Sequence, residues 1–537
     1  MPTLNATPTL NAMPTFDEVP TAAGTRAAHL AGMALDAPRF LQRAAARHGR
    51  LVRLKLGRGP VVLLTDPDAT RTVLVDQHAF PKGMGLGIAG GEPGDTPLRA
   101  VLGNGLLTSR GEHHKRQRRL IQPAFHHARI ASYASVMAEE AAAMTDGWRD
   151  GMTVDLHAAF AATTLRVLTR TVFDVEVTGA DAEMIATAVN STMRGPGANV
   201  ILVAFARRFG DRALAARRAA LGDIDAMINN LISARRGSDV PRHDVLSWLL
   251  EARDVGAADG ADGGGMTGQD VRDEVLTLLL AGHETSTNAL SWAYHLLAGS
   301  PDVAATLHAE LDSVLDGGRL PGVDDIARLP YARAVVDESM RLYPPAWILV
   351  RHAATDVTLA GFHVPAGTTI LMSPFVVHRD PALWRDATVF EPARWLSPGG
   401  DYVGTPESRH AFFPFGGGPR MCIGNTFALM EIALVLAHTS RHWAMVPVPA
   451  HRVGMTPRVT LRPRGGMPMV IRSRARARER EAPRPGRGDG GNGLRGPQTE
   501  APVTPGRMER EDVTGAAVTV RRPAAPAPEP PTGPAPA

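Results

Sequence analysis

Three observations predict a mainly helical fold with a small β part at one edge. Residues 130–175 and 210–235 are rich in Ala, Leu and Arg, with apolar residues at helical spacing. The stretch from Thr267 to about Leu297 is apolar on several sides, which marks a long buried helix. Strand-like runs are short and few: Leu51–Leu56, Val61–Thr65, Val357–Thr369 and Val459–Ile471.

Taken in order, residues 1–20 read as a disordered leader. Its first fifteen residues, MPTLNATPTLNAMPT, are polar and repetitive, with neither the basic start nor the apolar run of a signal peptide. A Gly-Arg-Gly turn between Leu51–Leu56 and Val61–Thr65 predicts a hairpin. Asp66-Pro67 then opens a helix, with proline in the first turn. No composition shift divides residues 21–473, which read as one domain; 537 residues would allow one large domain or two ordinary ones. From Arg474 to the end there are twelve prolines in 64 residues and no aromatic residue. Such a segment buries too little apolar surface to offset chain entropy, so 474–537 is expected to be a disordered tail.

The net charge is +4, and the tail alone holds eleven arginines against eight acidic residues. The body is nearly neutral, so the sequence pI of about 9.5 does not indicate a nucleic-acid partner. A single cysteine excludes an intramolecular disulfide and fits a reducing compartment. No uninterrupted apolar run approaches the roughly 18 residues that a membrane span needs. The expectation is a cytoplasmic protein without a membrane span, and a monomer.

The lone cysteine sits in Phe412–Glu431, FFPFGGGPRMCIGNTFALME. A lone cysteine is otherwise a small buried hydrophobe. Here three glycines let the backbone turn sharply and bring N–H groups near the sulfur, which tunes the charge that a thiolate passes to a metal. A helix starting at about Cys422–Asn425 would add a positive dipole end and lower the thiol pKa. One thiolate presented in this way suits the axial face of a haem, and does not suit zinc, which needs three or four ligands.

Phe415-Gly-Gly-Gly418-Pro-Arg420-Met-Cys422-Ile-Gly424 resembles the haem-binding signature of the cytochrome P450 family, with every fixed position filled. Three further motifs follow the order of that family. Glu338-Ser-Met-Arg341 places both charges on one helix face, and Phe390-Glu-Pro-Ala-Arg394-Trp395 supplies a second arginine. The resemblance implies that Glu338, Arg341 and Arg394 form a buried structural network near the cysteine loop. Ala281-Gly282-His283-Glu284-Thr285 interrupts the long buried helix with a glycine and a polar run, a local violation that often marks a site. The small Ala281-Gly282 pair leaves a groove for a diatomic ligand. The Thr285 hydroxyl can satisfy a freed carbonyl. By resemblance Thr285 donates to bound dioxygen and Glu284 relays protons. His114-Lys-Arg-Gln-Arg118 has the i, i+4 spacing that puts His114 and Arg118 on one face. By resemblance these two, with Arg351 and Arg420, meet the haem propionates. Many members carry Trp where this chain has His114. The surplus basic residues His113, Lys115, Arg116 and Arg119 are candidates to face an acidic electron-transfer partner or simply solvent.

The resemblance spans residues 20–473. It implies a triangular helical prism, with haem b (iron protoporphyrin IX) between the long central helix and the helix after the cysteine loop. Cys422 is the axial thiolate, and Phe415 and Gly424 belong to the haem loop. The implied reaction is hydroxylation or epoxidation of a hydrophobic small molecule with dioxygen. Electrons come ultimately from NAD(P)H through a ferredoxin or flavodoxin with its reductase, because the tail is too short to hold a flavin reductase. Met84–Leu98, Asn190–Phe209 and Ala346–Val350 are expected to line the pocket. Their apolar content favours an oily substrate, with a terpenoid or fatty acid preferred. A peroxide-driven peroxygenase and a non-catalytic haem ligand-binding protein are the alternatives, and the intact Glu284-Thr285 pair argues against both. A cysteine hydrolase would leave the other motifs unexplained.

Overall fold

The computed structural model describes residues 14–57, 59–82, 99–176, 211–238, 240, 242, 244–254, 264–315, 318–404 and 410–475. Two of the stretches expected to line the pocket, Met84–Leu98 and Asn190–Phe209, lie outside them.

The labelled elements run α1 Arg26–His48, β1 Leu51–Arg53, β2 Val61–Leu64, α2 Pro67–Val75, α3 Gly111–Ile121, α4 Ala134–Thr145, β3 Thr153–Asp155 and α5 Leu156–Val172. Then come α6 Asp211–Arg236, α7 Val245–Glu251, α8 Gly268–Ala298, α9 Pro301–Val314 and α10 Pro330–Leu342. Strands β4 Leu349–His352, β5 Val357–Leu359, β6 Phe362–Val364 and β7 Thr369–Met372 precede α11 Asn425–His442. The labelled chain closes on β8 Trp443–Pro447, β9 Gly454–Pro457, β10 Leu461–Arg464 and β11 Pro468–Ser473.

Helix α8 is the axis of the molecule. Thr267 caps it: its hydroxyl accepts from the Asp270 N–H at 3.0 Å, and Asp270 accepts from the Thr267 N–H at 3.0 Å. Side chains on every face of α8 are buried, from Val271 to Leu297, as befits a helix enclosed by α5, α10 and α11. Gly282 lets α5 approach closely, since a Cβ there would meet Leu168 Cδ1 at 3.0 Å. The glycine therefore serves helix packing as well as any groove.

The β part is a four-stranded sheet of order β1-β2-β7-β4, a three-stranded sheet β3-β11-β8 and the hairpins β5–β6 and β9–β10. Asp66 caps α2 by accepting from the Ala69 N–H at 2.9 Å. The helical reading of 130–175 is interrupted. Residues after α4 turn through Gly151 (φ 83°) into β3, which pairs with β11 more than 300 residues away. Nothing in the local pattern announces that strand.

Both proposed ends of the body move outward. Residues 14–20, read as leader, are packed: Val19 is buried, Arg53 lies 4.7 Å over the Phe16 ring, and the Arg53 N–H donates to the Pro20 carbonyl at 2.8 Å. Arg474, read as the first tail residue, is buried. It pairs with Asp312 at 2.7 Å and donates to the Arg441 carbonyl at 2.7 Å. Among the described residues no helix is long and apolar enough to cross a membrane.

One buried acid gives the fold a pH signature. Glu431 on α11 is buried, and burial pushes its carboxyl up to about 8 against a small opposing pull from Ser286. A folded-state pKa above the unfolded one stabilises at low pH, and that contribution is lost as pH rises from about 4.5 towards 8. Glu431→Gln stays neutral. Its stability relative to wild type should therefore climb with pH in that window, at most by about 1.4 kcal/mol per pH unit. Denaturant unfolding at several pH values reads this, and parallel curves would refute it.

Candidate haem-thiolate site

The cysteine loop is shaped by glycine and by its own backbone bonds. The Gly416 N–H donates to the Phe413 carbonyl and the Cys422 N–H to the Phe415 carbonyl, both at 3.0 Å. Gly418 has φ 64°, and a Cβ there would lie 2.4 Å from the Leu74 carbonyl oxygen, so only glycine fits against the end of α2. Phe415 is half-buried in this turn, and Gly424 directly precedes α11.

Cys422 is reachable by a water-sized sphere, yet it is surrounded densely enough that burial pushes its thiol pKa up. The Gly424 N–H and the Arg118 guanidinium pull the other way, as the helix start was expected to do, but burial outweighs them. The expected lowering by the helix start therefore does not prevail in the protein alone. A bound metal cation would favour the thiolate, because coordination displaces the thiol proton.

Above this loop the cations gather. Arg420 donates to the Ser109 carbonyl at 2.8 Å and to Gln77 Oε1 at 3.2 Å. Arg118 donates to the Met421 carbonyl at 2.7 Å, and Arg351 to its neighbour Val350 at 3.0 Å. His114 is buried with Nδ1 unpartnered. Burial, then Arg420, Lys82 and Arg118, push it down to about 3, so the ring is neutral. Two further cations were not singled out in the sequence: Lys82, which donates to the Leu107 carbonyl, and Arg110. Burial pushes Lys82 down to about 7, helped by Arg420, Arg351 and Arg110. Burial likewise holds Arg351 and Arg420 at about 10. Among the described residues none of Lys82, Arg110, Arg118, Arg351 and Arg420 pairs with a carboxylate. Partly buried cations gathered without acids repel one another, and anions that join them relieve the repulsion. Two propionates beside Cys422 meet that need, so these residues fit a haem.

The basic residues offered to an electron-transfer partner are largely occupied internally. Arg119 and Arg116 hold Asp254 at 2.6 and 3.6 Å, Lys115 pairs with Glu112 at 2.7 Å, and His113 sits 3.2 Å from the Asn104 carbonyl. Arg116 and Arg119 thus tie α3 to Asp254, whereas Lys115 and Glu112 form an exposed pair within α3 itself.

The structure brings Glu338, Arg341 and Arg394 together. Arg341 meets both carboxylate oxygens of Glu338 at 2.8 Å, and Arg394 Nε lies 3.1 Å from Oε1. Trp395 Nε1–H and the Glu391 N–H, both at 2.9 Å, complete the shell of the acid. Arg341 also donates to the carbonyls of His378, Ala387 and Val389. His378 carries the network to the cysteine loop, because its Nε2 accepts from the Phe413 N–H at 3.1 Å. Burial and the neighbouring Arg341 hold His378 well below the usual histidine range, which keeps Nε2 an acceptor. The sequence contained no sign of this histidine's part.

On α8, Ala281, Gly282 and Thr285 are half-buried, whereas His283 and Glu284 are closed to water. The Thr285 hydroxyl donates to the Ala281 carbonyl at 2.7 Å. Glu284 turns the other way. Its Oε1 accepts from the Thr460 hydroxyl and lies 3.4 Å from Arg462 Nε, while its Oε2 is buried without a partner. Leu349 and Val350 on β4 are half-buried and apolar.

A mainly helical body with this loop, this cation cluster and this internal network defines a haem-thiolate protein. The sequence profile described as Cytochrome P450 matches residues 30–467. Cyclooctatin synthase of Streptomyces melanosporofaciens is 38% identical over 77% of this chain and 87% of its own length. Pentalenene oxygenase of Streptomyces avermitilis is 35% identical over 78% of this chain and 87% of its own. The crystal structure of the cytochrome P450DA heme domain superposes with a TM-score of 0.73 at 25% identity, covering 85% of this chain and 98% of that one. The chain belongs to the cytochrome P450 family, and its class of activity is that of a monooxygenase using haem iron and dioxygen.

Proposed function

We propose that the protein oxygenates a terpenoid, by hydroxylation or epoxidation, with two electrons that start on NAD(P)H and arrive through a ferredoxin or flavodoxin and its reductase. Relatives named cyclooctat-9-en-7-ol 5-monooxygenase, 38% identical over 75% of this chain, and pentalenene oxygenase support the substrate class. When bound, the haem iron activates dioxygen and delivers one of its atoms to the substrate.

The residues of the chain supply the rest. Cys422 Sγ would ligate the haem iron. His114, Arg118, Arg351 and Arg420 would hold the propionates. Leu349 and Val350 present apolar surface that excludes water from an oily substrate. The Thr285 hydroxyl, now given to Ala281, rotates to donate a proton into the groove beside Ala281 and Gly282. Glu284 relays the replacement, taking up a proton that comes ultimately from solvent and passing it to the hydroxyl, so that it ends the step as it began. The single observation that carries the haem chemistry of the proposal is the cluster of five cations near Cys422 that, among the described residues, has no carboxylate partner.

Two experiments test it. Purified protein with a ferredoxin, its reductase and NAD(P)H should convert members of a cyclic terpene panel to products with one added oxygen atom. Conversion of fatty acids alone, or only with added peroxide, would overturn the substrate or the electron source respectively. Thr285→Ala should consume NAD(P)H but release most of the oxygen as peroxide. Coupling equal to wild type would remove Thr285 from the proton path.

A further inference from the structure

Glu284 is held by a part of the chain that the α8 motif does not contain. Two residues of the β9–β10 segment reach it from more than 170 positions downstream: Thr460, at the tip between the strands, and Arg462 on β10. Thr460 is pinned in turn. Asn288, one turn along α8 from Glu284, donates its amide N–H to the Thr460 hydroxyl oxygen at 3.2 Å, which leaves the hydroxyl proton for Glu284 Oε1. Arg462 touches the same oxygen. The carboxylate is thus fixed by one edge, and its second oxygen is buried and empty-handed.

Arg462 does not stop at Glu284. Its NH2 group lies 3.4 Å from His157 Nε2 at the start of α5. The tautomer of that histidine follows from its other contact. Ser291 Oγ spends its proton on the Thr287 carbonyl at 2.7 Å, so it must accept from His157 Nδ1 at 3.1 Å. His157 therefore carries its proton on Nδ1 and offers Nε2 to the guanidinium. His157 is half-buried, while Glu284 is 2% exposed. A continuous polar line runs from the flank of the molecule at His157 through Arg462 to the acid beside Thr285. His283, also closed to water, faces the same region and is pushed down to about 4 by burial and by Arg462, so it adds no competing positive charge.

We propose that Arg462 is a positioning residue for Glu284. Together with Thr460 it sets the direction of the carboxylate and holds it towards the β9–β10 segment. The inference rests on Glu284 acting in the proton path. A guanidinium beside a carboxylate that water hardly reaches favours the charged form, and its loss favours the protonated one.

The test uses haem-loaded full-length protein. Infrared difference spectra report a protonated carboxyl through its C=O stretch, independently of turnover. Arg462→Gln should gain such a band relative to wild type, and the Arg462→Gln/Glu284→Gln double variant should lack it. Arg462→Lys, which keeps the cation, should lose most of the gain. In turnover, Arg462→Gln should release several-fold more peroxide per NAD(P)H, and Arg462→Lys should recover most of the coupling. A folded, haem-loaded Arg462→Gln protein with no new carboxyl band would overturn the assignment. Should that variant not fold, Thr460→Val removes the other contact at equal volume, and wild-type coupling in it would equally overturn control of Glu284 by this segment. Glu284→Gln alone is the separate check on the relay: unchanged peroxide release there removes Glu284 from the proton path and leaves the infrared result standing.

Discussion

Glu338→Ala protein is expected to emerge without haem or not to fold. The carboxylate it removes is wholly buried and answers two guanidinium groups, an indole N–H and a backbone N–H. Deleting it strands Arg341, fully buried, and leaves Arg394 only the partly exposed Glu391, at 3.2 Å, as counter-charge. Breaking one partner of such an arrangement costs on the order of 3–5 kcal/mol, a large share of the stability of an ordinary domain. The damage does not stay local. Arg341 also binds the His378 carbonyl, and the His378 ring accepts from the Phe413 N–H at the head of the cysteine loop. Haem content per folded protein, measured by absorbance against circular dichroism, decides the matter. A folded variant with a full haem complement would show that the network does not support the loop.

Cys422→Ser should abolish monooxygenase turnover while leaving most of the fold intact. The substitution is nearly isosteric, and the loop is shaped by Gly416, Gly418 and the Cys422 N–H, none of which depends on sulfur. What disappears is the thiolate that donates electron density to iron. Haem affinity should drop less than activity, because the cluster around Lys82, Arg351 and Arg420 still offers its charge to the propionates. Retained terpenoid oxygenation in this variant would mean that another residue ligates the iron.

The chemistry was far more legible in the sequence than its supports were. Cys422, Thr285, Glu338 and Arg341 stand in short motifs, where spacing along one helix or one loop fixes geometry. Their long-range partners carry no such mark. Thr460 and Arg462 read as an ordinary strand, and only the fold brings them to Glu284. Lys82 and Arg110 sit in separate segments that converge only in three dimensions. Strand β3 is three residues inside a helical stretch and exists because β11 pairs with it. Arg116 and Arg119 look like a free basic face until Asp254 is folded against them. The thiol was misjudged for a related reason: the helix start is visible in sequence, whereas the burial that outweighs it is not.

The central claim is that Cys422 holds a haem iron as thiolate, and the absorption spectrum of the reduced, carbon-monoxide-bound protein tests it most directly. A strongly red-shifted Soret band is predicted for the wild type and should vanish in Cys422→Ser. A Soret band at the shorter wavelength typical of imidazole ligation, or folded wild-type protein that takes up no haem, would contradict the account.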